Sequence, residues 1–285
     1  MPRDTRYGIN ANDTAGVEAR LAVCGGIGVA RVYYTRMLPT TWDASKEGAS
    51  PQAACQVSFK AEPADVAAGQ HDATIVSWVE SIPAGWLVYL TFWHEPNDEL
   101  RDGRFSAQSY RAAWSRLSTL VRRQTRVRDG ATVRLVPNFM AYQVGVDGQW
   151  SDDWVPRPNE VDFVSWDIYG NPTGGDGLSG GYPPPQGPVD PCLRASGRLG
   201  FASWGISEFN TPARSWDADE SARRSWLTDF HAYAVSTTRQ VGPQLGAPRI
   251  MLLWEGNGVN WDQTFETAAT WAWWRQVITS DALNR

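Results

Sequence analysis

Short apolar runs recur along the chain and alternate with polar or amphipathic stretches. Eight runs are rich in residues that favour β-strands, and they cover residues 7–10, 29–34, 55–60, 86–92, 132–138, 161–169, 201–210 and 249–255. Continuous apolar runs of this kind are typical of parallel strands that are buried on both faces. The pattern therefore predicts a buried parallel sheet.

The stretches between these strands carry helical signals. The clearest is a stripe of large apolar residues at i, i+4, i+7 and i+11 behind the N-cap Ser106: Tyr110, Trp114, Leu117 and Val121. Further helices are predicted behind N-caps at Thr14 and Asp72, from Asp219 onward, and over residues 266–278. Most strands are thus followed by a helix or by enough chain to form one.

Eight strands alternating with helices predict an α/β fold, a single (β/α)8 TIM barrel spanning residues 1–285 as one domain. An open, doubly wound sheet is the alternative, but its glycine-rich phosphate loop would follow the first strand, whereas residues 25–28 end a helix. Residues 170–191 are rich in glycine and proline and are interpreted as a long loop bordering the cleft. Tyr182 in this loop is predicted to contact a sugar away from the scissile bond.

Composition and charge narrow the functional classes. The net charge is −5, and no basic patch predicts nucleic-acid binding. No apolar stretch has transmembrane length, so no membrane partner is expected. The cysteines Cys24, Cys55 and Cys192 lack metal-ligand spacing, and the first two are predicted to be buried. We expect no metal or other cofactor and a monomeric protein.

Two of the predicted strands end in a glutamate, and these ends carry the candidate chemistry. The fourth strand leads into His94-Glu95-Pro96, and the seventh carries Glu208. In a (β/α)8 barrel the active site lies at the carboxyl ends of the strands, so both carboxyl groups should face one cleft. Glycoside hydrolysis needs such a pair, one protonated to assist the leaving group and one ionised. A metal site built from His94, Glu95 and Asp98 is an alternative interpretation.

Glutamates at the ends of strands four and seven resemble the arrangement in clan A of the glycoside hydrolases. His94-Glu95-Pro96 and Ile206-Ser207-Glu208-Phe209 are similar to the acid/base and nucleophile motifs of glycoside hydrolase family 26, known mainly for β-mannanases. Residues 97–100 lack the aromatic-rich sequence that commonly follows the acid/base in those mannanases. The resemblance implies a retaining enzyme acting on a β-linked polysaccharide or oligosaccharide, with Glu95 as acid/base and Glu208 as nucleophile.

The same resemblance implies roles for residues around the pair. Tyr169 would donate a hydrogen bond to the nucleophile, and Arg31 would lie under it. Trp254 would form the floor of the subsite for the reacting sugar. Further predicted substrate contacts are His94, Trp93 and Asn138.

Two other functions are compatible with the sequence. A non-catalytic carbohydrate-binding barrel would use the tryptophans, sixteen in all, but would need neither Glu95 nor Glu208. A phage-borne hydrolase of a bacterial cell-wall glycan would use the same glutamates on another substrate. Residues 1–6 lack the apolar core of a signal peptide, so we expect an extracellular protein if a signal was removed and otherwise a phage-associated or cytoplasmic one.

Overall fold

A nine-stranded parallel sheet forms the centre of the fold, in the order β5-β4-β3-β2-β1-β9-β8-β7-β6. The computed structural model describes residues 5–11, 13–48, 50, 52–124, 132–170, 181–254 and 267–280. The strands are β1 (Arg6–Asn10), β2 (Val29–Tyr33), β3 (Ala54–Phe59), β4 (Leu87–Phe92), β5 (Thr132–Leu135), β6 (Asn138–Met140), β7 (Val164–Tyr169), β8 (Trp204–Asn210) and β9 (Ile250–Leu253). The parallel pairing agrees with the prediction from the apolar runs.

The two edge strands of this sheet come from one stretch of chain. The predicted fifth strand is divided at Val136 and Pro137, since proline has no N–H to donate to a ladder. The Val136 N–H donates to the Leu90 carbonyl at 2.9 Å, and the Pro137 carbonyl accepts from the Ser165 N–H at 2.9 Å. Because three residue steps span at most about 11 Å, β5 and β6 lie close together and the sheet must curl. The arrangement is consistent with a (β/α)8 barrel, although the ladder does not close between β5 and β6, and the predicted eight continuous strands become nine.

Helices follow most of the strands. They are α1 (Thr14–Cys24), α2 (Ala44–Glu47), α3 (Pro63–Ala68), α4 (Asp72–Ser81), α5 (Asn97–Arg101), α6 (Ala107–Arg123), α7 (Gln186–Arg198), α8 (Ser221–Val235) and α9 (Ala268–Thr279). The predicted helix behind Ser106 is confirmed. The Ser106 hydroxyl accepts from the Ser109 N–H, and the apolar stripe of the helix is buried. The cap of α1 is Asp13 rather than Thr14, since the Asp13 carboxylate accepts from the Gly16 N–H.

Helix α7 corrects the interpretation of residues 170–191 as one long loop. Residues 171–180 lie outside the described part of the chain, and the helix already begins at Gln186. Pro188 stands in its first turn, where a backbone N–H would have no helical acceptor. Pro191 lies further inside, and the buried Val189 and Leu193 pack the helix despite the lost hydrogen bond. Tertiary packing thus outweighs the proline content of this segment.

Large aromatic side chains fill the core between the sheet and the helices. Five tryptophans are fully buried: Trp78, Trp114, Trp166, Trp204 and Trp274. Core packing therefore accounts for these rings, as it does for the three free cysteines, which are all buried. Within the described residues, none of the helices combines the length and apolar character needed to cross a bilayer.

Candidate active site

The alternation of side chains along the strands places polar groups inside the curled sheet. On β7, Ser165, Asp167 and Tyr169 occupy every second position and therefore share one face. On β2, Arg31 and Tyr33 do the same. These two strands supply most of the groups that surround Glu208.

A β-bulge in β8 aims Glu208 at this cluster. Trp166 pairs with Ile206, and the next pair joins Asp167 to Glu208, so Ser207 is the extra residue. The bulge lets two consecutive side chains face inward. The Ser207 hydroxyl lies 2.8 Å from Gln56 Nε2, while the Glu208 carboxylate continues toward β2.

Three donors hold the Glu208 carboxylate. Oε1 accepts from Arg31 Nη1 at 2.9 Å and from the Tyr33 hydroxyl at 2.7 Å, and Oε2 accepts from the Tyr169 hydroxyl at 2.5 Å. The side chain is nearly buried, so these donors stabilise its negative charge in place of water. Arg31 and Tyr169 thus occupy the places predicted for them.

The Glu95 side chain is positioned by a constrained turn after β4. Trp93 and Glu95 have φ values of 48° and 53°, which are unusual for residues other than glycine. The Glu95 N–H donates to the Asn138 carbonyl at 3.0 Å. The buried Asn97 amide bonds both backbone groups of Met140, at 2.9 Å to its N–H and 3.2 Å to its carbonyl. These bonds fix the turn against β6 and offset its conformational cost.

Glu95, Asp167 and Glu208 form a compact group of three carboxyl side chains. One carboxylate oxygen from each lies within 4.8 Å of the other two. Burial, together with the negative charge of Glu208, raises the pKa of Glu95 to about 7. Burial and Glu208 also raise the pKa of Asp167 well above its ordinary value. A group that is half protonated near neutral pH therefore lies beside a carboxylate held by three donors.

The guanidinium of Arg31 already supplies a cation to this group. Arg31 Nη1 lies 2.9 Å from Glu208 and 3.3 Å from Asp167, and the side chain is fully buried. In the described part of the chain these three carboxylates form the one cluster with metal-ligand spacing. The predicted alternative of His94, Glu95 and Asp98 does not come together, because Asp98 pairs with Arg101 at 2.8 Å.

His94 and Trp254 lie around Tyr33. The His94 ring is 5.3 Å from the Tyr33 ring, and the partly exposed Trp254 ring is 6.3 Å from it, both edge-on. Burial, with the charges of Arg31 and Lys60, lowers the pKa of His94, so its imidazole is neutral. Its Nδ1 is buried without a hydrogen-bond partner among the described residues. Both rings therefore lie beside Tyr33, whose hydroxyl donates to Glu208, and their contacts with a substrate stay predictions.

Three other predicted substrate contacts have their side chains engaged by protein groups. Trp93 is 3% exposed and packs on Phe105 at 4.8 Å, which leaves little of its ring for a ligand. Asn138 is fully buried and donates to Asp167 at 2.6 Å, so it orients a carboxylate. Tyr182 donates to the Pro212 carbonyl at 2.9 Å and packs on Trp216.

Asp167 and Tyr33 were not among the predicted site residues. Both lie inside or at the end of an otherwise apolar strand, without the abrupt change of polarity that marks Glu95. The available signal was spacing, since Asp167 lies two positions before Tyr169 and Tyr33 two after Arg31. Examining the residues two positions before and after each predicted site residue on a strand identifies both.

Replacing the buried cation tests its place in this network. Arg31→Met leaves Asp167 and Glu208 without their counter-ion, so the free energy of unfolding is expected to fall by about 3–5 kcal/mol. Urea unfolding at pH 7 measures the change. Arg116→Met is the control, because its guanidinium pairs with Asp72 at the surface, where an ion pair contributes little to stability. Equal losses in the two variants would contradict the network.

Comparison with solved structures places this site in a known fold. No family model matches the chain, and no curated protein matches its sequence. A mannanase from Bacillus subtilis is 13% identical, with a TM-score of 0.53 over 90% of this chain and 81% of that one. The chain shares the fold of glycoside hydrolases. A GH26 β-mannanase from Bacteroides ovatus is 12% identical, with a TM-score of 0.51 and coverages of 96% and 88%.

An endoglucanase of the GH5-4 group from Bacteroides salanitronis is similar in the same way, at 14% identity and a TM-score of 0.53, covering 94% of this chain and 86% of its own. The predicted resemblance to clan A enzymes and to family 26 is thus confirmed at the level of the fold. Function has to be argued from the site.

Proposed function

We propose that the protein is a retaining glycoside hydrolase that cleaves a β-linked polysaccharide or oligosaccharide by double displacement. The observation that carries the proposal is the approach of Glu95 and Glu208 to within 4.8 Å in contrasting surroundings. Retaining enzymes place their two carboxyl groups about 5–5.5 Å apart, and inverting enzymes leave room for a water between them. Oxygen atoms within 4.8 Å of each other fit the retaining arrangement better than one with a water between the carboxyl groups.

In the first step Glu208 attacks the anomeric carbon, and Glu95 gives its proton to the departing glycosidic oxygen. Arg31, Tyr33 and Tyr169 hold the attacking carboxylate in one orientation. Glu95 suits the acid role because burial and the charge of Glu208 keep it protonated at higher pH than an ordinary glutamate.

In the second step Glu95 takes a proton from water, which then releases the sugar from Glu208. Once Glu208 is an ester it carries no negative charge, so one cause of the raised Glu95 pKa is gone. The pKa of Glu95 then falls, which suits it to act as a base. Asp167 is hydrogen-bonded to Glu95, and Asn138 donates to Asp167. These bonds hold the Glu95 side chain in one orientation through both steps.

The substrate is proposed at the level of its chemical class. Trp254 offers a partly exposed ring beside Tyr33, which donates to Glu208, for a sugar face. Mannan is one candidate, since two of the similar structures are mannanases, and a bacterial wall glycan is the other. We further propose that the chain forms one barrel domain and acts as a monomer without nucleic acid or membrane. A non-catalytic binding barrel would need no such carboxyl pair.

A substrate screen tests the proposal as a whole. Release of reducing ends is measured with β-mannan, β-glucan, xylan and peptidoglycan, and the Glu208→Ala protein serves as the blank. We expect activity above the blank on at least one glycan. Binding without cleavage of any of them would favour the non-catalytic alternative.

The raised pKa of Glu95 predicts a pH dependence. Because the acid must be protonated, kcat/KM is expected to fall as pH rises through about 7. The measurement is a profile from about pH 4 to about pH 9 with an aryl glycoside whose leaving group is poor. This limb should vanish for a dinitrophenyl glycoside, which needs no protonation. A flat profile with the poor leaving group would contradict the assignment of Glu95.

A further inference from the structure

Lys60 lies directly beside the turn that carries Glu95. It is the first residue after β3, the strand that pairs with β4, and it is half-buried. Its ammonium lies 5.5 Å from the centre of the Trp93 ring, two residues before Glu95. Its charge reaches both His94 and Glu95, whose pKa values it lowers. Lys60 thus belongs to the rim of the carboxylate cleft.

Among the residues that the structure describes, no carboxylate pairs with Lys60 or with its neighbour Arg36. The Lys60 N–H donates to the Arg36 carbonyl at 3.1 Å, which holds the two residues side by side. Within the described residues, neither side chain forms an ion pair or a side-chain hydrogen bond, and the exposed Glu62 nearby does not pair with Lys60. By contrast, Arg104, which also contacts the Trp93 ring, lies 3.9 Å from Glu99.

Within the described residues, Lys60 is thus a partly buried cation without a counter-ion, in a chain of net charge −5. Partial burial of the lysine removes some of the water that would hydrate its charge. The Trp93 ring offsets only part of this cost. The cleft rim is therefore electrostatically complementary to an anion, although the protein as a whole repels one.

We infer that Lys60 binds an anionic group, a carboxylate or a sulfate ester, on a sugar next to the scissile bond. The inference rests on the proposed function and narrows its substrate to charged glycans. A uronic acid, or the carboxylate-bearing sugar of a bacterial wall glycan, has such a group within reach of a sugar ring bound at Glu95. A neutral mannan or glucan would offer no charge to Lys60.

Matched oligosaccharides test this site by binding alone. The Glu208→Ala protein is titrated calorimetrically with β-1,4-mannotetraose and with β-1,4-tetramannuronate, which differ only at C6. A sulfated mannotetraose separates sulfate from carboxylate recognition. The variants are Lys60→Met, which keeps the side-chain length without the charge, and Lys60→Arg, which restores the charge. Lys46→Met is the control, because Lys46 on α2 also lies over an aromatic ring, that of Tyr34 at 4.6 Å.

We expect at least one anionic tetrasaccharide to bind about tenfold more tightly than the neutral one, and added salt to remove this preference. Lys60→Met should lose the preference, and Lys60→Arg and Lys46→Met should keep it. Equal or weaker binding of the anionic sugars, no binding of any tetrasaccharide, or a preference unchanged in Lys60→Met would overturn the inference. If the anionic sugar is preferred but the parent protein hydrolyses no glycan, the proposed hydrolase function is wrong and the anion site stands.

Discussion

Glu208→Ala is expected to abolish glycan hydrolysis while the protein stays folded. Loss of a nucleophile lowers kcat by roughly five orders of magnitude or more. Its carboxylate contacts Arg31, Tyr33 and Tyr169 rather than apolar core groups, so its removal should affect the reaction more than the packing. The measurement is kcat on whichever glycan the parent cleaves best, with circular dichroism as the check on folding.

Azide distinguishes a missing nucleophile from general damage. In Glu208→Ala the small anion can enter the space left by the carboxylate and attack an activated aryl glycoside. The product should be a glycosyl azide of inverted anomeric configuration. Glu99→Ala is the control, because among the described residues this carboxylate forms an ion pair with Arg104 alone, at 3.9 Å, and the variant should neither lose activity nor respond to azide. Near-parental turnover in folded Glu208→Ala would refute the assignment.

Glu95→Ala is expected to separate substrates by their leaving groups. A general acid contributes about 10²–10⁴-fold, so hydrolysis of a polysaccharide should fall by that factor. The first step on a dinitrophenyl glycoside should be nearly unchanged, because the leaving group departs without a proton. Pre-steady-state release of dinitrophenol measures this step.

The second step should then limit Glu95→Ala, since no base remains to activate water. A burst of dinitrophenol followed by slow turnover is the expected time course. Glu95→Gln gives a variant of the same size whose amide cannot donate a carboxylic proton. Equal losses on the polysaccharide and the activated glycoside would argue that Glu95 has no acid/base role.

Strand ends that change polarity abruptly were the part of the site most open to prediction. Glu95 and Glu208 each follow a long apolar run, and the barrel rule places such ends together. Arg31 was conspicuous as a charge inside a strand. Asp167 was not, because a single aspartate in a strand usually faces solvent, and only the curled sheet shows that it faces Glu95.

Local geometry explains what the sequence pattern missed. The bulge at Ser207 moves the following side chains of β8 to the opposite face of the sheet. A strict alternation of inward and outward residues does not predict this. Pro137 divides a strand that the apolar pattern makes continuous. Trp93 looked available because it adjoins Glu95, yet its positive φ turns the ring inward onto Phe105.

Trapping the covalent intermediate tests the central claim most directly. The protein is incubated with 2-deoxy-2-fluoro mannosyl and glucosyl fluorides, digested, and analysed by mass spectrometry. The account predicts time-dependent inactivation with one 2-fluoroglycosyl group per chain, carried by Glu208. A label on Glu95, Asp167 or another residue, or glycan hydrolysis that continues with no label, would contradict it.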